Sequence, residues 1–409
     1  MRFGQAKAKL DNRPLPLPSG TMSATMFENK TLDETFAFLR SPAGGALQIR
    51  DDDESPYAVV YYNKKSSDMS MPHVSAFRSV IWDKTANKPL FVAPPRSAPF
   101  STLTGTDFTT EEFIDGVMIN MFYDRIQGKW CLATRTQLGA MNRYFGKRTF
   151  ADLFWETFAS AGLVLEDLDT ATTYSWVLQH PEERIVVAPA YGIPIIKLIH
   201  VVGLLTPKLI AFIPVSSCVL KTLEEVKDFV QAEGKRRGAQ FMGLIIRSGG
   251  NRYKLRSAEY EAARQLRGNQ PKRAYTWLER WTQGSLPAYL RLYPEEACDA
   301  EAVIATYKAA TQEVHDLYLK VYRKKELPLG QAPQKYRKLL WDAHKARKGA
   351  YFPDCRTFMN EQDTARKLWI VNYEVRYSPT TTEELGRVTG PDTGPEDGRI
   401  EENMPGSEE

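Results

Sequence analysis

The stretch EEFIDGVMINMFY (residues 111–123) decides the fold of this chain. In this stretch, the pair Asp115–Gly116 directly precedes a run of apolar residues that includes β-branched and aromatic side chains. Asp and Gly favour turns, and such a run is typical of a buried strand. The stretch therefore predicts a turn that leads into a β-strand, with the bulky apolar Phe113 at its entrance. By itself, the Asp115–Gly116 pair is also explained by the turn alone.

Segments with strand character lie on both sides of this turn, from about residue 33 to residue 265. Turn signals separate them, as at Gln127–Gly128. Two helices are predicted among them, 148–162 and 222–238. The second begins with Thr222 and has Glu225 three residues later, which is a capping pattern. The predicted strands are 57–62, 74–83, 89–93, 116–124, 129–135, 174–179, 184–190, 240–248 and 252–257.

After about residue 258 the sequence changes to long segments with helical periodicity and helix-forming composition. These patterns predict an α+β fold, in which antiparallel sheets are followed by an all-helical C-terminal domain. The predicted divisions are a flexible N-terminal arm (1–30), a strand-rich domain (31–260), a helical domain (261–377) and a disordered acidic tail (378–409).

Composition is that of an ordinary globular protein, with 43% hydrophobic residues and a formal net charge of +4. Residues 379–409 carry nine Asp and Glu against two Arg, so the rest of the chain is more basic than the total suggests. The four cysteines are far apart and show no zinc-binding pattern. We expect an intracellular protein, cytoplasmic or nuclear.

The longest apolar run, 193–215, is interrupted by Lys197, His200, Pro207 and Lys208. These interruptions predict two buried strands joined by a turn, and no contact with a membrane.

Five segments follow one another in an informative order. They are FRSVIWD (77–83), APPRSAPFSTL (93–103), FIDG (113–116), WVLQHPEERIV (176–186) and MGLIIR (242–247), the last running into RYKLRS (252–257). This order resembles the phage-type RNA ligase 1 family of ATP-dependent covalent nucleotidyltransferases, over roughly residues 55–260. The added helical domain resembles RNA ligase-like proteins of large DNA viruses, which implies a viral gene.

The resemblance implies that residues 31–260 form a nucleotidyltransferase domain that has lost its catalytic groups. In the family, a Lys in a Lys-x-Asp-Gly motif attacks the α-phosphate of ATP. Phe113 stands in that position here, and Val177 and Met242 stand where the family has acidic residues. A phenyl ring cannot form a phosphoramide, and without carboxylates a divalent ion lacks hard oxygen ligands. The resemblance therefore implies no catalytic residue, no metal site and no cofactor.

Other positions match the family and imply a nucleotide- or phosphate-binding site, in which the four cations would converge with no carboxylates to balance their charge. These positions are Arg78, Asp115, Gly116, Arg184, Lys254 and Arg256. Each has a plainer explanation. Arg78 could be a surface residue on a strand, and Lys254 and Arg256, two residues apart, could lie on a solvated strand face.

We therefore expect a degenerate RNA ligase-like protein that binds the backbone of RNA or DNA or serves in an assembly. One alternative is an active RNA ligase that uses another lysine, such as Lys64, Lys65 or Lys84, with ATP and Mg²⁺. Another alternative is a scaffold that binds a protein partner. The basic segments 320–325 and 335–348 fit either solvated helices or a nucleic-acid surface.

Overall fold

The computed structural model of the chain describes residues 29–214 and 220–374. These residues form two compact units that divide between Gln265 and Leu266. The first 28 residues of the predicted arm and the whole predicted tail, 378–409, lie outside the described residues. In the two described ranges, no helix is both long and apolar enough to cross a membrane.

The chain has the predicted α+β fold, with sheets in the first unit and helices in the second. The strands are β1 (Gln48–Asp51), β2 (Tyr57–Tyr61), β3 (Val80–Asp83), β4 (Lys88–Val92), β5 (Ala98–Pro99), β6 (Thr109–Glu112), β7 (Val117–Asp124), β8 (Lys129–Ala133), β9 (Thr173–Gln179), β10 (Ile195–Val202), β11 (Gly243–Ser248) and β12 (Asn251–Arg256). The helices are α1 (Leu32–Arg40), α2 (Phe150–Ser160), α3 (Leu223–Arg237), α4 (Ala258–Arg267), α5 (Arg273–Thr282), α6 (Leu286–Leu292), α7 (Ala297–Tyr318), α8 (Gln334–Lys345), α9 (Phe352–Asn360) and α10 (Thr364–Val371).

The strands pair into three sheets, with the orders β1-β2-β3-β4, β10-β9-β7-β8 and β5-β12-β11-β6. All neighbouring strands are antiparallel except β5 and β12, which run parallel. We call the second the β7–β9 sheet and the third the β11–β12 sheet. The chain passes from the β11–β12 sheet into the β7–β9 sheet between β6 and β7, within residues 111–123.

The β7–β9 sheet is buried on both faces. On one face, Trp176 packs edge-on against Phe154 and Phe158 of α2 within a large apolar cluster. On the other face, Met118 and Phe122 join residues of the first sheet in a second cluster. Because successive side chains of a strand point to opposite faces, β7 contributes to both clusters. This sheet is therefore a rigid support for residues at its end.

The β11–β12 sheet is covered on one face by α3. Val226 and Val230 of that helix pack with Leu244 and Ile246 of β11. The predicted cap of α3 is present, since the Thr222 hydroxyl accepts a hydrogen bond from the backbone N–H of Glu225. The opposite face of the sheet carries the odd-numbered residues of β11 and the even-numbered residues of β12.

The second unit packs α5 to α10 around an aromatic-rich core that includes Trp277, Tyr307 and Tyr336. It also buries an ion pair, because Arg267 and Glu296 are each 3% exposed and lie 3.2 Å apart. The Nε1 of Trp277 donates to Glu296 at 2.8 Å, which helps to offset the cost of burying the charge. The predicted boundary between the domains was residue 260, and the units divide five residues later, within α4.

Three of the predicted strands are wrong in part or entirely. Residues 184–190 form no strand, because the backbone N–H groups of Val186 and Val187 bond to a carboxylate and Pro189 has no N–H. In the run 193–215, β10 is present, but a 3₁₀ helix, Pro207–Phe212, replaces the second strand. Another 3₁₀ turn, Val74–Ala76, occupies the start of the predicted strand 74–83.

Candidate functional site

The link between β6 and β7, residues 113–116, joins the β11–β12 sheet to the β7–β9 sheet. The Phe113 N–H donates to the carbonyl of Gly243 in β11 at 3.0 Å, so Phe113 continues the β6 pairing. Three residues later Gly116 leads into β7, where Val117 pairs with Leu178 of β9. Groups on the facing sides of both sheets therefore approach one another around this link.

Gly116 and Gly243 are required by close backbone contacts on either side of the link. Gly116 has φ of 145°, and a Cβ there would lie 2.4 Å from the carbonyl oxygen of Leu178. Gly243 has φ of 138°, and its Cβ would lie 2.0 Å from the carbonyl oxygen of Leu255. Both φ values favour glycine, and neither contact leaves room for a side chain. The two motif glycines thus set how closely strands meet at the site.

Asp115 is buried and fully engaged by hydrogen bonds. Its Oδ2 accepts from the N–H groups of Val186 and Val187 at 3.0 and 2.8 Å, and its Oδ1 accepts from the Tyr260 hydroxyl at 2.7 Å. Burial raises the pKa of the Asp115 carboxyl, while these hydrogen bonds and the nearby Arg256 oppose the rise. Burial and the charge of Asp115 raise the pKa of Tyr260, which keeps its hydroxyl a donor. Asp115 therefore ties the link to α4 and to residues 186–187.

Phe113 lies beside two guanidinium groups of β12. The guanidinium carbons of Arg252 and Arg256 are 5.9 and 5.6 Å from the centroid of the Phe113 ring, a cation–π arrangement. Arg256 also forms an ion pair with Glu261 at 2.8 Å. The expectation of a site without balancing carboxylates is therefore wrong. Glu261 comes from α4, an element that carried none of the motifs.

The three apolar replacements are all buried around the link. Phe113, Val177 and Met242 are 9%, 6% and 3% exposed. A Cβ on Gly116 would lie 2.7 Å from Cγ1 of Val177, which places that side chain against the link. Met242 directly precedes Gly243, whose carbonyl receives the Phe113 N–H. The three replacements therefore lie at the link or next to residues that contact it.

Cationic side chains recur on the strand faces next to the link. We define the inter-sheet site as the seven residues Phe113, Asp115, Val177, Met242, Arg252, Lys254 and Arg256. The three cations alternate along β12 and lie opposite the face that packs on α3, where Tyr253 and Leu255 are found. Sequence reasoning missed Arg252, although it has the same two-residue spacing as Lys254 and Arg256.

Three further residues near this site were also missed. Arg247 of β11 bonds to Glu111 of β6 at 2.8 Å and reaches the carbonyl of Ile199 in β10 at 3.4 Å. Lys197 of β10 pairs in register with Val177, so the two share one face of the β7–β9 sheet. A bulge after Leu198 then sets His200 opposite Ser175 on that same face. No sequence pattern indicates this bulge, and without it the His200 side chain would lie on the opposite face of the sheet.

His200 remains neutral at ordinary pH. Its environment lowers the pKa to about 4, chiefly because the imidazole is surrounded by protein, with Arg247 and Arg252 adding to the effect. The residue as a whole is half-buried. His200 therefore adds no positive charge to the neighbouring cations above pH 5.

The remaining predicted residues lie on other elements. The Nε of Arg184 donates to the carbonyl of Val186, whose N–H bonds to Asp115, so Arg184 adjoins the inter-sheet site through the backbone. Arg78 precedes Ser79, whose hydroxyl accepts from the Asn120 amide of β7 at 3.2 Å. Lys254 and Arg256 thus share one face of β12, and Arg184 is linked to Asp115 through Val186. Arg78 lies in a separate segment, just before β3.

The alternative lysines lie elsewhere in the first unit. Lys64 and Lys65 are exposed in the turn after β2. Lys84 forms an ion pair with Asp51 at 2.9 Å next to the first sheet. Throughout residues 29–214 and 220–374, no three His, Cys, Asp or Glu side chains gather in a way that could hold a metal ion.

Two solved structures similar to this chain are described as archaeal ATP-dependent RNA ligase, form 1 and form 2. The first is 13% identical, covers 66% of this chain and 70% of its own, and has a TM-score of 0.35. The second is 10% identical, covers 87% of this chain and 79% of its own, and has a TM-score of 0.32. No family model and no curated protein matches the sequence. At these scores, the activity of those ligases does not carry over to this chain.

Proposed function

We propose that this chain is a catalytically degenerate RNA ligase-like protein whose inter-sheet site binds the phosphate backbone of a nucleic acid. It forms no covalent bond to a nucleotide. The observation that carries this proposal is the environment of Phe113. A buried phenyl ring, with two guanidinium groups 5.9 and 5.6 Å from its centroid, occupies the position where the motif order places a nucleophilic lysine.

The carboxylates around the site support the loss of catalysis. Both oxygens of Asp115 accept hydrogen bonds from protein groups. Glu111 is paired with Arg247, and Glu261 with Arg256. Mg²⁺ needs oxygen ligands, usually one or two carboxylates besides phosphate and water. Each of these three carboxylates already forms hydrogen bonds or an ion pair within the protein.

The cations support binding of a polyanion. Arg252, Lys254 and Arg256 follow one another on the same face of β12. Lys197 lies on the β7–β9 sheet, on the face that carries Val177. Guanidinium and ammonium groups bind phosphate oxygens through charge-assisted hydrogen bonds. A row of cations at two-residue spacing rises about 6.6 Å per step, which is close to the spacing of successive phosphates in an extended strand.

The first experiment tests catalysis. The protein is incubated with ATP and Mg²⁺ or Mn²⁺, and its intact mass is measured. We expect no added AMP, because Phe113 has no lone pair with which to attack the α-phosphate. A stable AMP adduct on any lysine would contradict the proposal. Lys197 and Lys254 are the residues to inspect by peptide mapping, since Lys197 shares a sheet face with Val177 and Lys254 lies between Arg252 and Arg256 on β12.

The second experiment tests binding by fluorescence anisotropy with labelled RNA and DNA. The double variant Lys197→Gln/Lys254→Gln should weaken binding and lower the slope of log K against log salt by about 0.7 for each lost contact with a single strand. The control is Lys88→Gln/Lys129→Gln, which removes two exposed cations from β4 and β8. No binding at low salt, with or without the acidic tail, would favour a protein scaffold instead.

A further inference from the structure

The second unit carries a cationic surface of its own where two helices end. We call it the helix-end surface. It consists of the end of α7, the C-terminal half of α8 and the short segments that follow these two helices. Its exposed members are Lys320, Arg323, Lys324, Lys325, Trp341, His344, Lys345 and Arg347.

An aromatic contact brings these two helix ends together. The rings of Tyr322 and His344 stack with centroids 3.9 Å apart and planes 4° from parallel. The Tyr318 hydroxyl lies 3.2 Å from Nδ1 of His344, which fixes the ring further. After α7 the chain makes a π-helical turn, in which the Lys324 N–H bonds to the Leu319 carbonyl at 2.8 Å. π-helical turns are rare and are frequent at functional sites.

The cations of this surface are not neutralised within the described part of the chain. None of Lys320, Arg323, Lys324, Lys325, Lys345 and Arg347 forms an ion pair with a described residue, whereas nearby Lys348 pairs with Glu361 at 2.6 Å. Like charges held close together on a folded surface repel one another. An anionic ligand relieves that repulsion.

Two of these cations occupy backbone positions that favour glycine. Lys325 has φ of 55° and Arg347 has φ of 56°, both in the left-handed region. Arg347 directly follows Ala346, the C-cap residue of α8. Helices that end in a left-handed residue usually have Gly at the position that Arg347 occupies. The helix dipole accounts for a positive charge there but not for a side chain in this conformation. At both helix ends, a charged residue therefore occupies a left-handed backbone conformation that disfavours any side chain.

Trp341 adds a group that charge alone does not require. It is 55% exposed on α8, with Arg337 and Lys338 about one turn before it and Lys345 one turn after it. An exposed tryptophan among cations is the arrangement by which proteins stack the bases of single strands.

We propose that the helix-end surface binds single-stranded nucleic acid, with Trp341 stacking on a base and the cations contacting successive phosphates. A duplex is a poorer ligand, because its bases are already stacked and cannot reach the indole ring. The interaction uses only residues of the second unit and does not depend on binding at the inter-sheet site.

The test is an anisotropy titration of the full chain with labelled oligo(U) and oligo(dT) of about 12 nucleotides, a length within the usual site sizes. Trp341→Ala should weaken binding about five-fold or more, and Trp341→Phe should recover most of the loss. Trp341 is largely exposed, so folding is checked by circular dichroism. The charge control is Lys308→Gln/Arg356→Gln, which removes two exposed cations of α7 and α9 and should leave affinity unchanged.

A second pair of variants separates binding from stability. Lys325→Gly and Arg347→Gly should weaken binding while raising the melting temperature by about 2 °C, because glycine accepts the left-handed backbone without strain. A cation with a purely structural role would show the opposite change in melting temperature.

The inference is overturned if Trp341→Ala binds as tightly as the parent chain, or if duplex binds as well as single strands. It is also overturned if polyglutamate competes as well as oligo(U), which would indicate an acidic protein partner. Loss of binding in Lys197→Gln/Lys254→Gln but not in Trp341→Ala would sink this inference and leave the proposed function in place. The reverse result would support it and contradict a role for the inter-sheet site.

Discussion

At the scale of single residues, Phe113 illustrates how one side chain changes what a site can do. A lysine in this position would place a positive charge near the guanidinium groups of Arg252 and Arg256, where like charges repel. The phenyl ring instead attracts both cations through its face. The residues around Phe113 therefore suit an aromatic ring better than a charged nucleophile.

We predict different costs for two substitutions of Phe113. Phe113→Leu keeps an apolar side chain but loses the cation–π contacts, so the free energy of unfolding should fall by about 1–2 kcal/mol. Phe113→Lys should cost about 3 kcal/mol or more, because it also buries a charge. Urea denaturation measures both. Phe113→Lys should also remain without AMP when incubated with ATP and Mg²⁺, since Val177 and Met242 supply no carboxylate. Equal stability of the two variants would contradict this account.

His200 gives a prediction about pH. Its pKa is lowered to about 4 in the folded chain, from an ordinary value near 6.5. Between these values the unfolded chain binds a proton that the folded chain does not, so stability is lost as the pH falls from 6.5 towards 4. From pH 7.5 to pH 5, the loss should be about 2 kcal/mol, at roughly 1.36 kcal/mol per pKa unit.

The corresponding measurement is urea denaturation at the two pH values, with His200→Gln as the comparison. Because glutamine does not titrate, the variant should lose about 2 kcal/mol less than the parent chain over this range. If both lose the same amount, another group is responsible for the pH dependence.

At the scale of elements, the β11–β12 hairpin supplies all three cations of the inter-sheet site. Its register pairs Gly243 with Arg256, which is the last residue of β12 and one of the two arginines at the Phe113 ring. The absence of a side chain at Gly243 is what lets β12 approach at this point. The position of the cations therefore depends on one backbone contact.

We predict that Gly243→Ala reduces the free energy of unfolding by about 2 kcal/mol or more, because the new Cβ meets the Leu255 carbonyl and the φ of 138° is disfavoured. The matched control is Gly249→Ala in the turn of the same hairpin. Gly249 also has a positive φ, of 56°, but nothing lies within 4 Å of its Cβ position. The control should cost about 1 kcal/mol. Similar losses in both would mean that the close contact is unimportant.

At the scale of the whole molecule, charge is distributed unevenly along the chain. Residues 379–409 hold nine acidic residues against two Arg, so removing them changes the formal net charge from +4 to +11. An acidic segment competes with nucleic acid for basic surfaces on the same chain, and the competition weakens as salt screens it.

We predict that a chain ending at residue 378 binds oligo(U) more tightly than the full chain at low salt. The ratio of the two affinities should approach one as the salt concentration rises towards 1 M, where screening extends only about 3 Å. Anisotropy titrations of both chains at several salt concentrations measure this ratio. A full chain that binds as tightly as the shortened one at low salt would show that the tail does not compete.

The sequence alone determined the elements whose signals are local. The Thr222 cap, the strand that follows Asp115–Gly116 and the two-residue spacing of Lys254 and Arg256 depend on residues close together in the chain, and the structure has all three. The change from strand to helical periodicity after about residue 258 was likewise enough for the α+β fold. The identity of Phe113 could be read directly, together with the chemistry that it excludes.

Only the tertiary structure decided which groups surround Phe113. Residues 184–190 have strand composition, yet the N–H groups of Val186 and Val187 bond to Asp115, which lies 71 and 72 positions earlier in the chain. Glu261 pairs with Arg256 from the start of α4, and Tyr322 meets His344 across the segment that joins α7 to α8. Local propensity is set by neighbours in sequence, whereas burial, pairing of charges and competition for backbone hydrogen bonds are set by neighbours in space.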